Sequence, residues 1–210
     1  MELSSEGLTD GQPLPEEFAM GVQDPDEHAT FGSNRNPDFH WHDLPGGTES
    51  LALICHDPDV PSKPDDVNQE DREVPADLDR IDFYHWLLVD LDPDRDSIEI
   101  GEFCDGVTTG GKDGPEGPAG TRQGLNDYTS WFEGDPDMEG EYYGYDGPFP
   151  PWNDSIVHHY HFTLYALDVD EAPVSGDFGG DELLDAIDGH ILDQERITAL
   201  YSLNPNVDVG

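Results

Sequence analysis

Positive charge is nearly missing from this sequence: eight lysines and arginines, with Lys63 and Lys112 the only lysines, stand against 49 aspartates and glutamates. The formal charge of −41 leaves no basic stripe to neutralise phosphates, so a DNA- or RNA-binding role is excluded. No run of about 18 apolar residues occurs, so nothing is expected to span a bilayer. The start, "MELSSEGLTDGQPLPEEF", has neither a basic segment nor an apolar one, which predicts no signal peptide and a cytoplasmic protein. Cysteine is scarce. Cys55 and Cys104 could form a disulfide, ligate a metal or stay separate, and a reducing compartment with 48 residues between them favours free thiols.

Such an acidic chain could be disordered if it were also poor in apolar residues. It is not: 34% of residues are apolar and 10% aromatic, gathered in runs such as "SLALICH", "IDFYHWLLVDL" and "YHFTLYALDV". The chain therefore reads as folded under an acidic skin, and 210 residues suit a single domain over 1–210. The acids are dispersed in short groups rather than in one tail. In molar salt the Debye length falls to about 3 Å, which screens their mutual repulsion. The composition resembles that of extremely halophilic archaea, and folding is expected to fail at low salt.

Short runs rich in β-branched and aromatic residues between turn signals predict strands. They lie at 50–57, 82–91, 97–100 and 158–169, the last expected to be the longest. The run 82–91 is apolar on both alternating faces (Phe83, His85, Leu87, Val89 and Tyr84, Trp86, Leu88), so it should be a central strand. Only "GDELLDAIDGHILDQERITALY" has helical spacing, with a break at Gly189 and a second helix capped by Asp193. Residues 101–157 read as long loops, which are uncommon without a function. The acidic stretches 62–79 and 133–141 read as surface excursions.

Three of the nine histidines open the last run, in "GPFPPWNDSIVHHYHFTLYALD". His158 and Tyr160 share a face with Phe162 and Leu164 and should point inward. His159 and His161 take the other face, where a His-x-His pair could ligate metal, although a polar outer sheet face explains it as well.

Taken in order, "NRNPDFHWHDLPGGTESLAL", "CHDPDVP", "FYHWLLVDL", "QGLNDY", "GYDGPFPP", "HHYHFTLYALD" and "ELLDAIDGHIL" cover nearly the whole chain. In this order the sequence resembles the phosphatidylethanolamine-binding proteins, in the bacterial and archaeal branch often labelled Raf-kinase-inhibitor-like. The resemblance implies a mainly β fold, an antiparallel β-sandwich with peripheral and C-terminal helices. It implies a small pocket for phosphate-like anions or lipid headgroups, and onto that pocket it carries Asp57, Asp59, Pro61, His85, Gly147, His158 and Tyr160. Backbone N–H groups near Gly147, the imidazoles of His85 and His158 and the Tyr160 hydroxyl are the expected donors, with Asp57 or Asp59 fixing the imidazole tautomer. Pro148, Pro150 and Pro151 lack N–H groups and can only shape the wall. Phe149 stands where many relatives carry a smaller residue and could narrow the mouth, and the segment 129–143 could cover it. Trp131, Phe132, Tyr142 and Tyr143 could rim that mouth or pin the loops.

The expected function is a binding protein for a small anionic or phosphorylated ligand, with modulation of a partner protein as a further expectation. The alternative is a hydrolase with His85 or His158 as general base, against which stands the lack of a convincing nucleophile. A purely structural protein would be favoured by a pocket closed at Phe149. No cofactor or metal is assigned, and the resemblance leaves a homodimer open.

Overall fold

The computed structural model describes residues 1–210. The strands are β1 (Glu2–Ser4), β2 (Gln12–Pro13), β3 (Gly21–Asp24), β4 (His28–Phe31), β5 (Phe39–His42), β6 (Ser50–Pro61), β7 (Arg80–Leu91), β8 (Ser97–Ile98), β9 (Arg122–Gln123), β10 (His158–Leu167) and β11 (Ile191–Tyr201). Two α-helices, α1 (Tyr128–Trp131) and α2 (Gly180–Ile187), are peripheral. The main sheet runs β2-β11-β10-β6-β7-β9, and β1-β5-β8 form a smaller sheet. All pairs are antiparallel except β2 with β11.

Both faces of the main sheet are covered, which is why its strands read as continuous apolar runs. Leu51, Leu53 and Cys55 of β6 join Phe162 and Leu164 of β10 and Phe39, Trp41 and Ile98 of the smaller sheet in the principal core. Ala52 and Ile54 point the other way, packing with Leu87 and Val89 under Leu183 and Ile187 of α2. Burying each such Leu, Ile or Val stabilises the fold by about 1.5–3 kcal/mol. The mainly β fold class is therefore as expected.

Three expectations about the strands of the main sheet change. Residues 191–201 form β11, not a second helix: α2 ends at Ile187, a 3-10 turn covers Asp188–His190, and the chain then pairs with β10 from Leu167 to His158. Ile197, Ala199 and Tyr201 alternate into the core, a period of two that the three-to-four spacing of Ile187 and Ile191 masked. Pairing along a full strand edge outweighs weak helix propensity. The run 80–91 is covered on both faces but is not at the centre of its sheet, since β10 and β6 hold the middle and β7 has only the two-residue β9 outside it. Nor is β10 the longest strand: it has 10 residues, against 12 in β6 and β7.

Residues 101–157 are mostly loop, as expected. They are anchored by the Asp146 carboxylate, which accepts from Asn34 (2.8 Å), Asn126 (2.8 Å) and the Lys112 ammonium (2.7 Å). The stretch 62–79 is more than a surface excursion, because Val74 within it is fully buried and donates its N–H to the Asn153 carbonyl.

Candidate functional site

An open cavity of about 420 Å³ lies where β6, β7 and β10 meet helix α1 and the loops 64–68 and 149–151. Asp57, His85, His158 and Tyr160 form its floor, each no more than 3% exposed. Its walls include Val60, Pro61, Val67, Phe83, Phe149 and Pro150, with Asn68, Ser130 and the half-exposed Trp131 at the rim.

Irregularities in the β6–β7 ladder aim the floor residues. Cys55 pairs with Trp86 but His56 pairs with Tyr84, so His85 is an extra residue in β7. Such a bulge turns two successive side chains to one side: Trp86 enters the principal core and His85 faces the cavity beside Tyr160, at a ring distance of 5.2 Å. The strict alternation that grouped His85 with Leu87 and Val89 is thereby broken. A second slip falls between Asp57 and Val60, where Pro58 has no N–H to lose from the ladder and Asp57 Oδ1 accepts the Asp59 N–H at 2.8 Å.

The floor is a chain of alternating charges. His158 Nδ1 donates to Asp57 Oδ2 at 2.7 Å and Nε2 donates to Asp154 Oδ2 at 3.1 Å. Asp154 in turn receives both terminal nitrogens of Arg80, at 2.6 and 3.1 Å. Burial opposes a charge on His158, but the two carboxylates outweigh it and hold its pKa up at about 9, so the ring is an imidazolium at neutral pH. Burial likewise works against ionised Asp57 and Asp154. The adjoining His158, with His85 and the Asp59 N–H for Asp57 and Arg80 for Asp154, reverses this and lowers both pKa values.

His85 is held differently. Its Nδ1–H donates to the Asp146 carbonyl at 2.8 Å, which fixes the tautomer and leaves Nε2 as an acceptor. Burial lowers its pKa despite the opposing pull of Asp57 and Asp146. Nε2 has no protein partner and keeps access to the cavity. The Tyr160 hydroxyl lies beside Asp57, is sealed from solvent and has no partner of good hydrogen-bond geometry.

Of the seven residues expected at the site, Asp57, Pro61, His85, His158 and Tyr160 line the cavity, and Asp59 and Gly147 do not. Asp59 turns outward and accepts from the backbone N–H and ring Nδ1 of His159, at 2.9 and 2.8 Å. Gly147 is a packing residue: its N–H donates to Asn34 Oδ1 and its carbonyl accepts from the Tyr128 hydroxyl, both at 2.8 Å, while a Cβ there would lie 2.0 Å from the Phe18 carbonyl oxygen. The expected donors change accordingly, since the Gly147 N–H and both His158 nitrogens are already engaged. The tautomer of His85 is set by a backbone carbonyl, not by Asp57 or Asp59.

Phe149 lines the cavity without closing it, and stacks edge-on against Phe31. Of the loop aromatics only Trp131 rims the mouth. Phe132 and Tyr142 pack on Tyr128 and Met138, and Tyr143 bonds Asp177. His159 and His161 lie on the outer face, where His161 meets His56 and bonds Thr198.

Sequence reasoning missed Arg80, Asp154 and the Asp146–Lys112 pair. The signal available was scarcity, because a chain with eight basic side chains that buries Arg80 and Lys112 to within 12 and 14% exposure has a strong structural use for them.

The fold agrees with the comparisons. A UPF0098 protein of Methanothermobacter thermautotrophicus is 32% identical over 179 residues, 84% of this chain and 89% of its own length. The UPF0098 protein YbhB of Escherichia coli is 28% identical over 202 residues, 96% of this chain and all of its own length. The crystal structure of E. coli YbcL, described as a new member of the mammalian PEBP family, superposes with a TM-score of 0.69 over 96% of this chain and 97% of its own, at 22% identity, which speaks for the fold alone. The family model for phosphatidylethanolamine-binding proteins matches residues 4–202, and with the sandwich and these relatives it establishes that the chain belongs to the phosphatidylethanolamine-binding protein family.

Proposed function

We propose that this is a single-domain, cytoplasmic binding protein whose cavity takes a small oxyanion-bearing ligand, phosphate or a phosphorylated headgroup. The observation that carries this reading is the convergence of Asp57, His85, His158 and Tyr160, distant in sequence, on the floor of one open cavity. A partly apolar wall with a few converging polar groups is the usual form of a ligand site. The proline and aromatic walls suit the carbon skeleton of a ligand, and Asn68, Ser130 and Trp131 at the rim carry side-chain donors with no protein partner.

Binding is favoured over hydrolysis because the floor lacks a poised nucleophile. Cys55 is fully buried in the principal core and burial pushes its thiol well above the ordinary range, while His158, the strongest base there, already carries its proton and has both nitrogens engaged. His85 Nε2 is free to accept a proton, as a general base must be, but the floor places no nucleophilic side chain beside it for activation.

The test is calorimetric titration of glycerol phosphate into the protein in molar KCl. Saturable binding that weakens at least tenfold in Trp131→Ala or His85→Ala, with the ester recovered intact, supports the reading. Steady release of phosphate would replace it with the enzyme, and no binding would remove it.

A further inference from the structure

The floor of the cavity contains no free positive charge and no accessible N–H. His158 gives both of its N–H groups to Asp57 and Asp154. Arg80 does not line the cavity: its terminal nitrogens go to Asp154 and to the carbonyls of Asp59 and Pro75, and its Nε–H, though without a partner, is sealed from solvent. Gly147 gives its N–H to Asn34, and the Tyr160 hydroxyl is sealed from solvent. Among the floor's polar side chains, the open atom that has no protein partner is His85 Nε2, which is an acceptor because the Asp146 carbonyl holds the proton on Nδ1. A bare dianion would therefore meet lone pair against lone pair, with the Asp57 carboxylate behind, in a chain whose net charge of −41 supplies no long-range attraction.

We infer, on the reading of the cavity as an oxyanion site, that binding requires exactly one bridging proton between His85 Nε2 and the ligand oxygen that faces it, so the site selects the protonated form of a phosphomonoester or takes a proton from solvent with the dianion. Whether the proton is drawn on the ligand or on the ring, the complex has the same composition. The groups that face His85 do not supply a substitute. Asp57 from β6 and Asp146 from the 144–147 loop are acceptors, His158 from β10 has both N–H groups occupied, and Tyr128 from α1 donates to the Gly147 carbonyl. Tyr160 from β10 lines the cavity but its hydroxyl is sealed from solvent beside Asp57, and Phe83 of β7 is apolar. Asp57 also favours the bridging proton, since a carboxylate beside His85 stabilises its charged form.

The linkage has a definite sign. A phosphomonoester has its second pKa near about 6 and is a dianion above pH 7, so each binding event at pH 7–8 takes up one proton and affinity falls about tenfold per pH unit. Calorimetry of glycerol phosphate in molar KCl at pH 7 and 8, in two buffers of different ionisation heat, counts the protons directly. We expect about one proton taken up per ligand and about tenfold weaker binding at pH 8. In His85→Gln the amide donates at any pH, so uptake should disappear and affinity should become independent of pH. The wild-type proton count decides the matter even where that variant does not fold. Binding with no proton uptake and equal affinity at both pH values overturns the inference and leaves the oxyanion reading standing. Uptake that persists in folded His85→Gln also overturns it. No binding between pH 5.5 and 8 overturns the reading and the inference together.

Discussion

Raising the pH from 6.5 to 8 should destabilise this protein through one buried ring. His158 titrates at 6.5 when unfolded and at about 9 when folded, so its contribution is fully present below pH 6.5 and is lost as pH rises through 9. The difference of about 2.5 units corresponds to about 3 kcal/mol in total, of which about 2 kcal/mol is lost by pH 8 at one proton per unfolding event. For a chain of this length that lowers Tm by roughly 4–8 °C. His56 and His161 act on the other side: burial lowers both, His161 to about 4, so the unfolded state binds more protons below pH 6.5 and stability rises towards that pH. Asp57 and Asp154, both lowered, add stability that is lost only as pH falls through the acid range. Stability should therefore peak near pH 6.5. The assay is urea unfolding followed by tryptophan fluorescence at constant molar KCl, with nitrogen NMR of the His158 ring alongside. A flat profile from pH 6.5 to 8, or a ring that loses its proton near 6.5, would refute the buried imidazolium.

Three further outcomes are expected. Gly147→Ala places a methyl 2.0 Å from a backbone oxygen and should cost about 1–3 kcal/mol or more, read as a fall in Tm. Arg80→Gln breaks the two-pronged contact with Asp154 and should cost about 3 kcal/mol; because it removes a positive charge and leaves the Asp154 carboxylate in place, the His158 pKa should stay where it is or rise, whereas Asp57→Asn should lower it. Dialysis from molar KCl to about 0.01 M salt lengthens the Debye length to about 30 Å. Six of the eight cationic side chains already sit in ion pairs, so nothing remains to offset the surplus of carboxylates, and far-UV circular dichroism should report unfolding.

The sequence made the fold class and most of the floor legible, for reasons that differ between residues. His158 and Tyr160 alternate with Phe162 and Leu164 in an unbroken stretch of β10, so period two alone predicts their direction. His85 was reachable only through the family motif, because a bulge reverses the face that alternation assigns it. Asp59 and Gly147 carry the motif without lining the cavity, one turned out by the slip after Asp57 and the other wedged against Phe18. Asp154 and Arg80 lie 74 residues apart, and no local pattern pairs them. The β11 strand was hidden for a related reason: its pairing with β10 is long-range, and the period of two at Ile197, Ala199 and Tyr201 was masked by the helical spacing just before it.

The most direct test of the site is a crystal soaked with tungstate, an electron-dense oxyanion that stands in for phosphate, and its anomalous map. The account predicts a peak inside the cavity with an oxygen within about 3.2 Å of His85 Nε2, the range of an N–H···O contact. A cavity without tungstate, while the anion occupies sites elsewhere on the surface, would contradict it.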